Sequence, residues 1–303
     1  MLKSRLCIAF FAFAVGCAPA QKPLTDYVNP MLGTATLWDS VDLGFKPTKR
    51  TWGAEVFPGS SLPNAMVQVS PVTKFRSGAG YQYEDSVIYG FTHTNKGHWN
   101  LCHIPLLPVT GTPTPGDYCS PFSHERESAA PGYYQVFLDR YGVDAQLSST
   151  LRCAFHKYTY PAGAAPAVLA DLQRSNEHVR AWDIRKEGDN VFAGWQQTGE
   201  KMYFYAVANR PVTGIEPVVE GDREVRIVRF GEGSQIDLRQ SAGKIGLVQD
   251  RNARTGGIGG DRRTDAGIQR LRPVDHGQDQ LRLRNLAPRP VDPQPLNIAR
   301  TVP

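Results

Sequence analysis

The last 73 residues of this 303-residue chain contain no aromatic residue; all 30 Phe, Trp and Tyr lie at or before Phe230. Lysine also stops, at Lys244, and every later positive charge is an arginine. A segment with neither aromatic anchors nor a sustained apolar period cannot bury enough surface to offset its ordering entropy. This excludes a packed core from 231–303. Two readings stand for that stretch: a disordered tail, or the product of a GC-rich gene translated out of frame. Arginine without lysine favours the second.

Cysteine is scarce as well. Of five, Cys7 and Cys17 fall in the N-terminal leader, which leaves Cys102, Cys119 and Cys153. An odd number builds no disulfide framework, although one bridge remains open, with Cys102 and Cys119 the nearest pair. The lack of any CxxC pair argues against structural zinc. An excess of either sign of charge is also missing from the body. From Gly231 onward there are 12 Lys and Arg against 8 Asp and Glu, leaving 22 against 21 before it. A neutral body gives a nucleic-acid partner no electrostatic footprint.

Long apolar runs are absent except at the start. Lys3 and Arg5 precede Leu6 to Val15, and small residues follow in "AVGCAPAQ". That order is a secretory signal over residues 1–20, too short to span a bilayer permanently. Cleavage after Ala20 releases an exported protein. Cleavage before Cys17, where Ala14-Val15-Gly16-Cys17 approximates a lipobox, leaves a lipid anchor as the one route to a membrane.

What the chain does have is β-pattern. "NAMVQVSPV", "GYYQVFLDRYGVDAQLSST", "CAFHKYTYP", "NVFAGWQQT", "KMYFYAVANRPV" and "REVRIVRF" alternate apolar and polar residues, separated by Pro-Gly, Tyr-Gly and Gly-Asp turns. No stretch reads as a long amphipathic helix, and "DLQRSNEHVRAWDIRKEGDN" is too polar for one. The expected fold is an all-β antiparallel sandwich over residues 21–230.

Five fragments in order give this pattern a family. "DYVNPMLGT", "VFPGSSLPNAMVQVSP", "GYQYEDSVIYGFTHT", "PFSHERESAAPGYYQVFLDRYGVDAQLSSTLRCAFHKYTYP" and "YFYAVANRPV" resemble the N-terminal domain of glycoside hydrolase family 92, the calcium-dependent inverting exo-α-mannosidases. The resemblance implies a β-sandwich that forms one wall of a sugar pocket. It also implies a C-terminal (α/α)6 barrel that carries the general acid, the general base and much of the calcium site. Inversion needs two carboxyl groups roughly 6.5–9.5 Å apart, one for the leaving oxygen and one for water. No helical region follows Phe230, so the expectation is an N-terminal portion without that pair, inactive alone. Calcium is expected for the full-length enzyme and not for this chain by itself. The chain departs from the family at Pro63-Asn64-Ala65, at Ser70-Pro71-Val72 and in the loop His93-Thr94-Asn95-Lys96-Gly97-His98-Trp99.

That loop holds the main candidates. It matches a family loop that lines the pocket, so Trp99 is expected to stack on a sugar ring while His98 and Asn95 bond hydroxyls. Trp52, beside Arg50, is a second platform. His93, His124 and His156 read as structural residues. Glu84 and Asp85 are adjacent on an extended segment and point to opposite faces, so a solvated turn is expected there. Glu125 and Glu127 share a face if extended. "GGIGGD" at 256–261 lacks the flanking strand and helix of a phosphate loop. The reading that emerges is part of an exported α-mannosidase acting on mannose-containing glycans. Its alternatives are a stand-alone glycan-binding sandwich and half of a split enzyme whose barrel docks in trans.

Overall fold

The structure, a computed structural model, describes residues 22–35, 56–96 and 99–243. The leader with Cys17, Trp52, His98, the "GGIGGD" motif and everything after Gly243 lie outside the described residues.

Nineteen strands follow in chain order among those residues. The first seven are β1 (Ser60–Ser61), β2 (Gln68–Val72), β3 (Val87–Ile88), β4 (Gly90–Thr92), β5 (Asn95–Lys96), β6 (Trp99–Asn100) and β7 (Leu106–Val109). Then come β8 (Ser120–Pro121), β9 (Glu127–Ala130), β10 (Tyr133–Leu138), β11 (Val143–Ser149), β12 (Cys153–Thr159) and β13 (Ala167–Ala170). The last are β14 (Ala181–Gly188), β15 (Val191–Gln197), β16 (Lys201–Ala208), β17 (Val212–Glu220), β18 (Arg223–Phe230) and β19 (Gln235–Gly243).

Fifteen of them form the two antiparallel sheets of a sandwich, while β3 pairs with β8 and β5 with β6 as small two-stranded sheets. One large sheet has the order β1-β2-β4-β7-β13-β18-β17, the other β14-β15-β16-β19-β12-β11-β10-β9. Strands β10, β11 and β16 alternate buried and partly exposed residues strictly, as expected of a sheet with one wet face. By contrast every residue of β7 and β13 is buried. Their second face is covered by the connection after β7, whose Tyr118 hydroxyl donates to Asp171 at 2.7 Å beneath it. The inter-sheet core is set by Phe91, Tyr134, Tyr158, Phe192 and Phe204, each at most 2 % exposed.

The boundary expected at Phe230 moves. Strand β19 lies beyond it and pairs with β12 on one side and β16 on the other, in the middle of the eight-stranded sheet. Ile236, Leu238 and Gln240 are buried there. The sandwich therefore runs at least to Gly243. Strand β19 contains no aromatic residue; Ile236 lies opposite Tyr158, Leu238 between His156 and Ala208, and Gln240 between Ala154 and Ala206. Cys102, Cys119 and Cys153 are free thiols, so the bridge left open by the sequence is not formed.

Candidate functional site

Three loops and a short hairpin meet at one end of the sandwich. The hairpin is β5 and β6, with Asn95 opposite Asn100 and Lys96 opposite Trp99. Two of the expected sugar contacts, Asn95 and Trp99, thus sit on one two-stranded tip. The connection after β2 and the segment 171–180 between β13 and β14 close around its base.

Asn176 ties these pieces together. Its amide donates to Ser77 O at 2.9 Å and to Asn100 O at 2.5 Å, and its carboxamide oxygen accepts from the Arg76 N–H. Its own N–H donates to Leu101 O at 3.1 Å. Asn100 in turn accepts from Cys102 N at 2.7 Å. The backbone here is strained. Arg76 (φ 62°), Cys102 (φ 53°) and Ile104 (φ 56°) adopt left-handed conformations, which a β-branched residue such as Ile104 adopts only when its surroundings enforce it. Gly80, at φ +76°, packs where a Cβ would come within 2.6 Å of the Asn100 amide, so only glycine fits.

Ile104 is held at both ends. Its N–H donates to Gln196 Oε1 at 2.9 Å, and the Gln196 amide donates onward to Leu172 O and Arg174 O, each at 2.9 Å. Gln196 is fully buried and uses three hydrogen bonds to fix the strained segment to β15. At the other end, Ile104 O accepts from His93 Nδ1 at 3.0 Å. This makes His93 Nε2 an acceptor, so His156 Nε2 donates to it at 2.8 Å and His156 Nδ1 accepts from the Tyr158 hydroxyl at 2.7 Å. Burial holds both imidazoles neutral. It pushes His93 down to about 4, and His156, which also faces His93, well below the usual range.

A second histidine chain lies beside it. The Thr198 hydroxyl donates to Glu177 Oε2 at 2.6 Å and faces His103 Nε2 at 3.2 Å, while His103 Nδ1 faces the Thr94 hydroxyl at 2.8 Å. With Thr198 committed to Glu177, His103 donates through Nε2 and accepts Thr94 through Nδ1. Burial pushes the Cys102 thiol up, so this cysteine is an inert packing group and not a nucleophile.

The expected structural histidines are placed in such roles. His156 and His93 form the buried pair above. His124 contacts Tyr83 O at 2.7 Å and Glu127 Oε2 at 2.5 Å, and its ring stacks on Tyr83 with centroids 3.9 Å apart. Glu84 lies on an exposed turn, and Asp85 accepts from the Thr73 hydroxyl at 2.7 Å. Glu125 and Glu127 do not share a face. A 3-10 turn over His124–Arg126 leaves Glu125 exposed, whereas the buried Glu127 carboxylate accepts from Tyr81 at 2.9 Å and Tyr134 at 2.6 Å.

Sequence reasoning missed His103, Asn176, Glu177 and Gln196. For Asn176 and Glu177 the signal was the polar run "DLQRSNEHVR" between two strands, too polar for a helix; His103 and Gln196 lie outside it. Polar density in a connection backed by rigid strands is where sites are commonly built.

The profile of the Glycosyl hydrolase family 92 N-terminal domain matches residues 27–249. Among solved structures, a family GH92 α-mannosidase from Bacteroides thetaiotaomicron shares 24% identity at TM-score 0.63, over 74% of this chain and 34% of its own. A GH92 inverting mannosidase from Bacteroides thetaiotaomicron VPI-5482 shares 22% identity at TM-score 0.59, over 74% and 32%. A GH92 family glycosyl hydrolase, ccman5, shares 25% identity at TM-score 0.52, over 61% and 30%. The chain therefore spans about a third of the length of these structures. No curated protein matches it.

Proposed function

Since the chain belongs to glycosyl hydrolase family 92 and carries the family's N-terminal domain, we propose that it is the N-terminal portion of an exported α-mannosidase that acts on terminal α-mannosides of glycans. The observation that carries this reading is the domain match over residues 27–249. In it, the hairpin end of the sandwich forms one wall of the sugar pocket. Asn95, His98 and Trp99 are its contacts, and Trp52 is a further platform. The catalytic carboxyl pair belongs to a C-terminal (α/α)6 barrel, supplied in cis or in trans, and this chain without the barrel does not turn over.

The state of the acids near the hairpin supports that division. Glu177 is held by Thr198, Asp171 by Tyr118 and Arg223, and Glu127 by two tyrosines and a histidine. Each is committed to the fold, and none is poised to protonate a leaving oxygen. Among the described residues, no group of three acids, histidines or cysteines is arranged to hold a metal ion. The task left to this chain is positioning. The Asn176 and Gln196 bonds fix the base of the hairpin, so that a sugar meets a wall that is already ordered. Export follows from the leader over residues 1–20, to the periplasm or cell exterior, with Cys17 as the lipid attachment point if cleavage precedes it.

The test uses the full chain, assayed against 4-nitrophenyl α-mannoside and titrated with methyl α-mannoside while tryptophan fluorescence is followed. The expected result is no turnover, with weak mannoside binding that Trp99→Ala abolishes. Turnover by the chain alone would overturn the assignment of the chemistry to a separate barrel. Tight binding of mannose oligosaccharides without turnover would instead favour the stand-alone glycan-binding sandwich.

A further inference from the structure

Beside the hairpin, the segment 173–183 and strand β18 enclose an open cleft of about 820 Å³. That volume falls in the range of small-molecule sites, roughly 300–1,000 Å³. Its walls include Phe75 and Trp182, together with Arg76, Arg174, Arg180 and Arg226. Two of these arginines are fixed against rings. The Arg174 guanidinium lies 4.8 Å from the Phe75 ring centroid and 5.0 Å from that of Tyr89, and Arg226 lies 5.3 Å from that of Trp182.

Three acids also line the cleft, and each is already engaged. Glu177 accepts from Thr198 at 2.6 Å, Asp183 faces Arg185 at 3.5 Å, and Glu224 pairs with Arg226 at 2.7 Å. On the other side of the balance, the guanidinium groups of Arg76 and Arg180 have no partner among the described residues, and Arg226 Nε is buried without one. The cleft therefore sets four guanidinium groups against three carboxylates, and two of those guanidinium groups are unpaired among the described residues. Guanidinium groups pair in a two-pronged geometry with carboxylates and with tetrahedral oxyanions such as phosphate and sulfate. Aromatic faces take the apolar C–H face of a sugar ring.

We propose that this cleft is a second saccharide site, selective for an acidic sugar that carries a carboxylate or a sulfate, with Arg76 and Arg180 on the anion and Trp182 or Phe75 under the ring. This inference does not rest on the mannosidase reading. The neutral mannoside expected at the hairpin offers nothing to two free arginines, so the two sites separate by ligand charge.

The test is calorimetric titration of the full chain with trigalacturonate, with galactose 6-sulfate and with neutral mannotriose. A triglutamate peptide serves as a control for the anion without the ring. Arg76 and Arg180 are exposed, so Arg76→Ala and Arg180→Ala leave the core untouched. Binding of either acidic sugar at least tenfold tighter than mannotriose, lost at least tenfold in the double variant and retained in Trp99→Ala, supports the site. Which acidic sugar binds tells carboxylate from sulfate. A charge-reversed Arg180→Glu, with an unchanged urea midpoint, should abolish binding. Equal affinity for mannotriose, no effect of the arginine variants, or triglutamate binding as tightly as the sugars would overturn the proposal.

Discussion

His93 and His156 meet nitrogen to nitrogen, Nε2 to Nε2 at 2.8 Å, and join the two sheets through a contact that works only while His93, the acceptor, is neutral. His156 supplies the shared proton, and His93 has no vacancy for a second. Protonating His93 at Nε2 puts two N–H groups face to face inside a dry core, and protonating His156 at Nδ1 turns a second donor toward the Tyr158 hydroxyl.

Stability should therefore fall in acid. His93 titrates at about 4 when folded, against an ordinary value near 6.5, so the unfolded chain binds the extra proton first. The contribution is complete above pH 6.5, declines as pH drops toward 4, and is on the order of 3 kcal/mol for His93 alone. His156, shifted in the same direction, adds to it. Urea midpoints measured at pH 8, 6 and 4.5 should decline in that order. A flat profile would show that the pair is not neutral in the native state.

Gln196→Leu removes three hydrogen bonds in one substitution and leaves the buried Ile104 N–H without an acceptor. An orphaned buried donor costs about 1–3 kcal/mol, and two carbonyls lose their donor as well. The variant should lose roughly 2–4 kcal/mol by chemical denaturation. A loss under 1 kcal/mol would mean that the strained segment does not depend on this side chain.

At Glu127, one carboxylate serves Tyr81, Tyr134 and His124. Glu127→Gln keeps the shape but turns an NH2 group toward donors, so it should destabilise by about 2 kcal/mol. Tyr134→Phe removes a single donor and should cost about 1 kcal/mol. The ranking is the informative result: a phenylalanine variant worse than the glutamine one would contradict the central role of the carboxylate.

Asn176→Ala should act locally. It frees the Arg76 N–H and the Ser77 and Asn100 carbonyls at the base of the hairpin while leaving the inter-sheet core intact. Hydrogen exchange should show faster exchange at Arg76 and through 99–102, with β10 to β12 unchanged. Loss of protection throughout β10 to β12 would mean that the loop network and the core unfold as one unit.

Much of the fold was legible where its face alternation is spelled in large residues. Tyr134, Val136 and Leu138 on β10, and Met202, Phe204 and Ala206 on β16, announce an inner face at every second position. Strand β19 was not legible because its inner face is Ile236, Leu238 and Gln240 in a run otherwise polar and without aromatics; its burial comes from the strands beside it. The candidate site divides in the same way. Asn95 and Trp99 stand on a short hairpin where the local sequence suggested a loop. Gln196 and Asn176 act through backbone groups 92 and 76 residues away, at Ile104 and Asn100, and no local pattern encodes such a bond. The departures from ordinary geometry at Cys102 and Ile104 are equally invisible, since left-handed backbone is rarely written with cysteine or isoleucine.

The place of β19 has a consequence for how the chain comes into being. The strand that joins β12 to β16 is the last of the described strands to leave the ribosome, so the described part of the eight-stranded sheet exists until then as two fragments with facing open edges. Unpaired edges recruit other strands readily. Translation that halts between Phe230 and Gln235 would release a chain holding every core aromatic yet divided down the middle of one sheet, and therefore prone to self-association. For this domain, the nine residues from Gln235 to Gly243 decide whether a nascent chain becomes a monomer or a nucleus for aggregation.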